Sequence, residues 1–91
     1  MAQNNTSKRD RLNILLEILE MANVPIKKTH ILYRANINFN QLTTYLNLLL
    51  RLEMIEQTKE PFVGYKITGK GRQMLDLFQL NTFDKVIPNI V

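Results

Sequence analysis

Cysteine is absent from the sequence, and histidine occurs once. Without cysteine, the chain can form neither a disulfide nor a cysteine-based zinc site. The single histidine, His30, has no second metal ligand and no nucleophile to pair with. Glu17 and Glu20 fall on the surface positions of an amphipathic helix rather than in a paired acid–base arrangement. The sequence therefore predicts a protein that is not an enzyme and that holds no metal or cofactor.

Long apolar runs are also absent. No segment approaches the roughly 20 apolar residues that a membrane-spanning helix needs. The N-terminus, MAQNNTSKRD, is polar and lacks the hydrophobic region of a signal peptide. We therefore expect a cytoplasmic protein that does not contact a membrane.

The chain has 91 residues, of which 45% are hydrophobic and 22% are charged, which is an ordinary globular composition. This length predicts one domain with a small core. A small chain that has neither disulfides nor a structural metal often gains stability by oligomerising, which is a first indication of a dimer.

The charge is mildly basic, with a net charge of +4 and a pI near 9.6. Residues 1–35 carry six Lys/Arg and three Asp/Glu, a net of +3, and residues 61–72 carry three Lys/Arg and no acidic residue. A basic surface of this kind fits a nucleic-acid partner.

Hydrophobic periodicity predicts three helices, a hairpin and a last helix. Asn38 is the expected N-cap of the third helix, in a capping box with Gln41, and residues 36–38 form the preceding turn. The other expected N-caps are Ser7 or Thr6 for the first helix and Thr68 for the last. The predicted helices cover residues 8–22, 27–35, 39–52 and 69–87, and the predicted strands cover residues 55–59 and 65–68.

The third helix has two different faces when its residues are placed 100° apart. The core face is expected to hold Phe39, Leu42, Leu46, Leu49 and Leu50. Thr43 lies at an edge of that face. The opposite face holds Asn40, Gln41, Thr44, Asn47, Leu48 and Arg51.

Two stretches, NFNQLTTYLNLLLRLEMI and GYKITGKGRQMLDLF, resemble a recognition helix with its lead-in to a wing and the strand and helix that follow a wing. With the first two helices, the resemblance covers residues 8–80 and is to small archaeal winged helix-turn-helix regulators and the PadR- and MarR-type regulators beyond them. It implies a mostly α fold with a small β-hairpin, and a two-fold dimer with two recognition helices in successive major grooves. Glu53 stands where the family often has glycine, which allows the third helix to run on and tilt the wing.

The resemblance divides the chain into three parts. Residues 1–7 are expected to be a flexible N-terminus, residues 8–68 a DNA-binding domain, and residues 69–91 a C-terminal helix and tail. The C-terminal helix is apolar nearly all round, so it is expected to pack on the domain with one side and on a second copy with the other. Folding back on its own core is the alternative. The expected dimerisation residues are Met74, Leu77, Phe78, Leu80, Phe83 and Ile87.

The outer face of the third helix is the expected base-reading surface. Asparagine and glutamine can pair with adenine, and threonine can contact polar base edges or the thymine methyl group. The alternative is that these side chains only solvate an exposed helix. The exposed Leu48 fits a thymine methyl, a dimer partner or the wing, or has no special role. The candidate base-reading residues are Asn40, Gln41, Thr43, Thr44 and Asn47.

Basic residues on the second helix, the third helix and the wing are the expected phosphate contacts, unless they form only a solvated basic face. In the wing loop, Phe62 is expected to pack across the hairpin rather than act as a wedge, and Glu60 opposes close approach to phosphate. The candidate phosphate contacts are Lys27, Lys28, Arg34, Arg51, Lys59 and Lys66.

Together these features predict a homodimeric, nucleoid-associated transcription regulator that binds double-stranded DNA. Two other hypotheses stay open: a winged helix that binds protein within a larger assembly, and a winged helix that binds RNA.

Overall fold

The computed structural model describes residues 10–86, with side chains described for residues 10–79. The predicted order of elements is confirmed, and each predicted boundary lies within a few residues of the observed one. The residues of the expected flexible N-terminus, 1–7, lie outside the described part. The elements are α1 (Arg11–Met21), α2 (Lys28–Ala35), α3 (Phe39–Arg51), β1 (Ile55–Thr58), β2 (Gly64–Ile67) and α4 (Gly69–Val86).

Helix α1 begins later than predicted because a different residue caps it. The side chain of Asp10 accepts a hydrogen bond of 2.8 Å from the backbone N–H of Asn13. A carboxylate at this position satisfies a free amide and lies favourably at the positive end of the helix dipole. The predicted N-cap at Ser7 or Thr6 is therefore wrong.

The turn between α2 and α3 forms as its asparagines predict. Asn36 closes α2 in the left-handed conformation, with φ 56° and ψ 50°. Asn38 then caps α3: its side chain accepts from the N–H of Gln41 at 2.8 Å, and its own N–H donates to Gln41 Oε1 at 3.0 Å. The predicted capping box is confirmed, and it fixes where α3 starts.

Helix α3 does not run on through Glu53, so that expectation is wrong. Leu52 is the C-cap, and Glu53 takes the left-handed conformation with φ 62°. The N–H of Glu53 donates to the carbonyl of Leu50, and the N–H of Met54 donates to that of Leu49 at 2.9 Å. This is the helix-closing pattern that glycine usually serves. A side chain there costs about 1–2 kcal/mol, and the two closing hydrogen bonds offset part of that cost.

The wing, defined here as residues 55–67, is an antiparallel hairpin in which Ile55 pairs with Ile67 and Thr58 pairs with Gly64. A segment that the sequence did not predict as a strand joins it. Ile26, between α1 and α2, exchanges two 2.9 Å backbone hydrogen bonds with Tyr65. The wing is thereby attached to the α1–α2 loop through its backbone.

One core lies between the helices and the inner side of the wing. The predicted burial of Leu42, Leu46 and Leu49 is confirmed, and Leu50 is half-buried. Phe39 was expected in the core but is 57% exposed. Because helical side chains lean toward the N-terminus, a residue in the first turn projects past the end of the core. The fully buried large side chains are Ile18, Leu19, Ile31, Leu42, Leu46 and Leu49.

Candidate nucleic-acid interface

Four side chains on the outer face of α3 are polar, uncharged and open to solvent. Asn40, Gln41, Thr44 and Asn47 are all exposed, so the structure brings these four predicted residues together on one face. Thr43 is half-buried, and its hydroxyl oxygen is buried without a hydrogen-bond partner in the described part of the chain. The structure therefore places the Thr43 hydroxyl away from this face.

The four exposed side chains differ in how much hydrogen-bonding capacity they have left. Gln41 already accepts from the N–H of Asn38, which leaves its amide nitrogen as a donor. The Thr44 hydroxyl donates to the carbonyl of Asn40 at 3.0 Å, so it keeps its acceptor capacity. The side chains of Asn40 and Asn47 make no hydrogen bond to another described residue and can offer both a donor and an acceptor to a base edge.

Arg11 lies on one flank of this face, across a groove of about 400 Å³. Leu48, 38% exposed, forms part of the groove wall. Arg11 was missing from the predicted contacts. The sequence spacing could have indicated where Arg11 lies. Arg11 precedes Ile14 by three residues and Ile18 by seven, so it lies on the same side of α1 as these buried residues. The groove is lined by Arg11, Asn40, Gln41, Thr44, Tyr45 and Leu48.

The start of α2 lies beside the first residue of α3. The Lys28 ammonium group is 4.4 Å from the centre of the Phe39 ring. Its neighbour Lys27 is 5.4 Å from the centre of the Phe62 ring, in the loop of the wing. Two cations therefore lie close to α3: Arg11 beside its outer face and Lys28 beside its first residue.

The remaining predicted phosphate contacts are spread over the surface. Arg51 is exposed one turn after Asn47 on the outer side of α3. Lys59 and Lys66 are exposed on the wing, where Lys66 pairs across the strands with Glu56.

Arg34 is placed differently from the other predicted contacts. It lines a separate groove of about 330 Å³ together with Glu17, Glu20 and Met21. The structure therefore groups Arg34 with acidic side chains of α1 rather than with the polar side chains of the outer face of α3.

A further groove, of about 470 Å³, separates α1 from α4. Leu75 in its floor is buried, whereas Leu12 at its rim is 45% exposed and Leu77 on α4 is 53% exposed. Of the predicted dimerisation residues, Met74 and Phe78 are half-buried. The side chains of Leu80, Phe83 and Ile87 lie outside the described residues.

Neither a metal site nor a membrane span is found in the described part of the chain. No three His, Cys, Asp or Glu side chains among residues 10–86 are grouped so that they could hold a metal ion. Over the same residues, no helix has the length and apolar character needed to cross a bilayer.

The sequence matches known proteins over most of its length. A family model described as winged helix-turn-helix matches residues 8–86. The chain is also 37% identical over 70 residues to an uncharacterized protein of Methanocaldococcus jannaschii, an alignment that covers 76% of this chain and 32% of that protein. The chain thus spans about a third of its archaeal relative. Resemblance to a winged helix-turn-helix family is confirmed, and this fold suggests DNA binding; neither match distinguishes the PadR and MarR types.

Proposed function

Because the chain belongs to the winged helix-turn-helix family, we propose that it binds duplex DNA and regulates transcription. The observation that carries the proposal is the set of four uncharged polar side chains exposed together on the outer face of α3. Uncharged amide and hydroxyl groups suit reading of base edges in the major groove. In the cell, such a protein would be associated with the nucleoid.

The division of roles follows from the positions of the side chains. Asn40 and Asn47 are the main base-reading residues, because their amides are not used within the described protein, and Gln41 and Thr44 act beside them. Phosphate contacts fix the register of a protein on the duplex. The nearest to α3 come from Arg11 on α1 and Lys28 on α2. Additional phosphate contacts come from Lys27, Arg51, Lys59 and Lys66.

Binding to a mixed-sequence duplex, measured by fluorescence anisotropy across a salt series, tests the proposal. The affinity is expected to fall steeply with salt, with a log–log slope of about −0.9 for each phosphate neutralised. Replacing both Lys27 and Lys28 by glutamine should make the slope shallower by about 1.8, because two cations are lost. Lys70→Gln, at the start of α4 and outside the proposed contacts, is the control for net charge.

Three results would count against the proposal. Absence of binding at low salt, both to mixed duplexes and to duplexes selected from a random pool, would sink it. If Lys70→Gln changed the slope by as much per charge as the Lys27 and Lys28 replacements do, only net charge would matter. Stronger binding to duplex RNA in competition would favour an RNA-binding winged helix instead.

A protein-binding role within a larger assembly is the second candidate. Leu48 on α3 and Leu52 at its C-cap lie one turn apart and are 38% and 40% exposed. Exposed leucines at this spacing are typical of a helix that contacts another protein. Retained partner binding in a protein without DNA affinity would identify this role.

The proposal includes a two-fold dimer formed through α4. It is supported by two exposed leucines, Leu12 beside the α1–α4 groove and Leu77 elsewhere on α4. Light scattering at micromolar concentration is expected to give twice the 10.7 kDa of one chain. Leu77→Lys places a charge on the exposed side of α4 and should shift the mass toward one chain. A wild-type protein with the mass of a single chain contradicts the dimer.

A further inference from the structure

The two lysines at the start of α2 each lie over an aromatic ring that comes from a different part of the chain. Lys28 lies over Phe39, the first residue of α3, at 4.4 Å. Lys27 lies over Phe62, in the loop of the wing, at 5.4 Å. A cation within about 6 Å of a ring centre is attracted by the negative face of the ring. These four residues are called the lysine–phenylalanine pairs below.

The Phe39 ring is held by the start of its helix rather than by the core. The capping box of Asn38 and Gln41 fixes the first turn of α3, with both hydrogen bonds at 3.0 Å or shorter. Phe39 itself is 57% exposed. The Phe39 ring therefore contributes little to the core. Its defined contact is with the Lys28 ammonium group.

The Phe62 ring is held by the wing. The Thr58 hydroxyl donates to the carbonyl of Phe62 at 3.0 Å, which ties the loop to the end of β1. A Cβ atom at Gly64 would stand 3.1 Å from the Phe62 ring, so the ring lies across the backbone of β2. This agrees with packing across the hairpin and leaves the ring beside Lys27.

We propose that Phe39 and Phe62 are positioning residues for DNA binding, which hold the Lys28 and Lys27 ammonium groups at the start of α2 in place for contact with phosphates. The inference rests on the proposed function. A free lysine side chain loses much rotamer freedom when it binds a phosphate. A lysine that is already held over a ring loses less, so the bound state is favoured without a new contact to DNA.

A double-mutant cycle on Phe39 and Lys28, read as affinity for duplex DNA, tests the inference. Phe39→Leu keeps an apolar side chain but removes the ring face, and should weaken binding about two- to fivefold. In the Lys28→Ala background the same change should have no further effect. Phe39→Tyr keeps the ring and should keep wild-type affinity. The matched control is Tyr33→Leu. Tyr33 is an aromatic residue on α2 that is 78% exposed and makes no cation contact with the described residues.

Two further measurements separate positioning from a structural role. The thermal midpoint of Phe39→Leu should stay near that of the wild type, since the ring is largely exposed. The proton shifts of the Lys28 side chain should move in Phe39→Leu but not in Tyr33→Leu, because the shielding ring is lost. A parallel cycle with Phe62→Leu and Lys27→Ala repeats the test on the wing.

The outcomes distinguish this inference from the proposed function. Suppose that the wild type binds DNA. If the effects of Phe39→Leu and Lys28→Ala on affinity are additive, the positioning role is overturned and DNA binding stands. The same holds if Tyr33→Leu weakens binding as much as Phe39→Leu does. If the wild type binds no DNA, the proposed function fails and the positioning role fails with it. The proton shifts then still report whether the lysine–phenylalanine pairs exist in the free protein.

Discussion

Replacing Gly71 by alanine is expected to lower the free energy of unfolding by about 1–3 kcal/mol, the usual cost of overpacking. A Cβ atom at Gly71 would overlap the backbone carbonyl oxygen of Met54 and press on a side-chain carbon of Ile67. A backbone carbonyl cannot rotate aside as a flexible side chain can. Helix α4 would have to move away from the start of the wing, and Thr68, which caps α4, would move with it.

Gly69→Ala is the matched control for Gly71→Ala, and urea denaturation is the measurement. Gly69 also lies in the first turn of α4, but a Cβ placed there meets no atom within 4 Å beyond its chain neighbours and its own helix backbone, and its φ is not positive. Alanine at this position should leave stability unchanged or raise it by about 0.4–1 kcal/mol, because it restricts the unfolded chain. Equal losses in both variants would show that helix geometry, rather than close approach to Met54, governs this turn.

Replacing Asn47 by alanine is expected to remove a base preference. An asparagine that pairs with a base edge contributes about 1–3 kcal/mol of discrimination, which is roughly a 5- to 150-fold change in affinity for the preferred site. Binding to unrelated duplexes should change little, because phosphate contacts dominate it. The measurement compares affinities for a duplex selected from a random pool and for a scrambled duplex.

Two other variants calibrate the Asn47 result. Gln41→Ala should weaken selected-site binding but also lower stability, since it removes half of the capping box. Gln73→Ala, an exposed amide on α4, should change neither affinity. If Asn47→Ala weakened both duplexes by the same factor, Asn47 would be a positioning contact rather than a base-reading residue.

The sequence predicted the elements well where a local signal exists. Asn36, Asn38 and Gln41 fix the turn and the start of α3 through bonds to nearby backbone, and the sequence shows such patterns directly. The error at the start of α1 was a choice among neighbouring capping residues. The error at Glu53 came from reading propensity alone: glycine is favoured in the left-handed conformation, but two closing hydrogen bonds hold a glutamate there.

Features that depend on distant parts of the chain escaped prediction. The pairing of Ile26 with Tyr65 joins two segments that show no joint periodicity. Projection of α3 on a helical wheel located its polar face. It wrongly placed Phe39 in the core, because a helical wheel does not show where the core ends along the helix axis. Contacts such as that of Lys28 with Phe39 arise only when α2 and α3 have packed.

The attachment of the wing to the α1–α2 loop bears on how the domain opens. Ile26 is bonded to Tyr65 in both directions, and the N–H of Ile67 donates to the carbonyl of Ala22 at 2.7 Å. The hairpin thus cannot separate from the domain without breaking backbone bonds of the loop that precedes α2. Cooperative units of unfolding often follow such connections. We therefore expect the wing and this loop to open together, so that a partial opening removes Lys27 and the wing lysines Lys59 and Lys66 at once rather than one after the other.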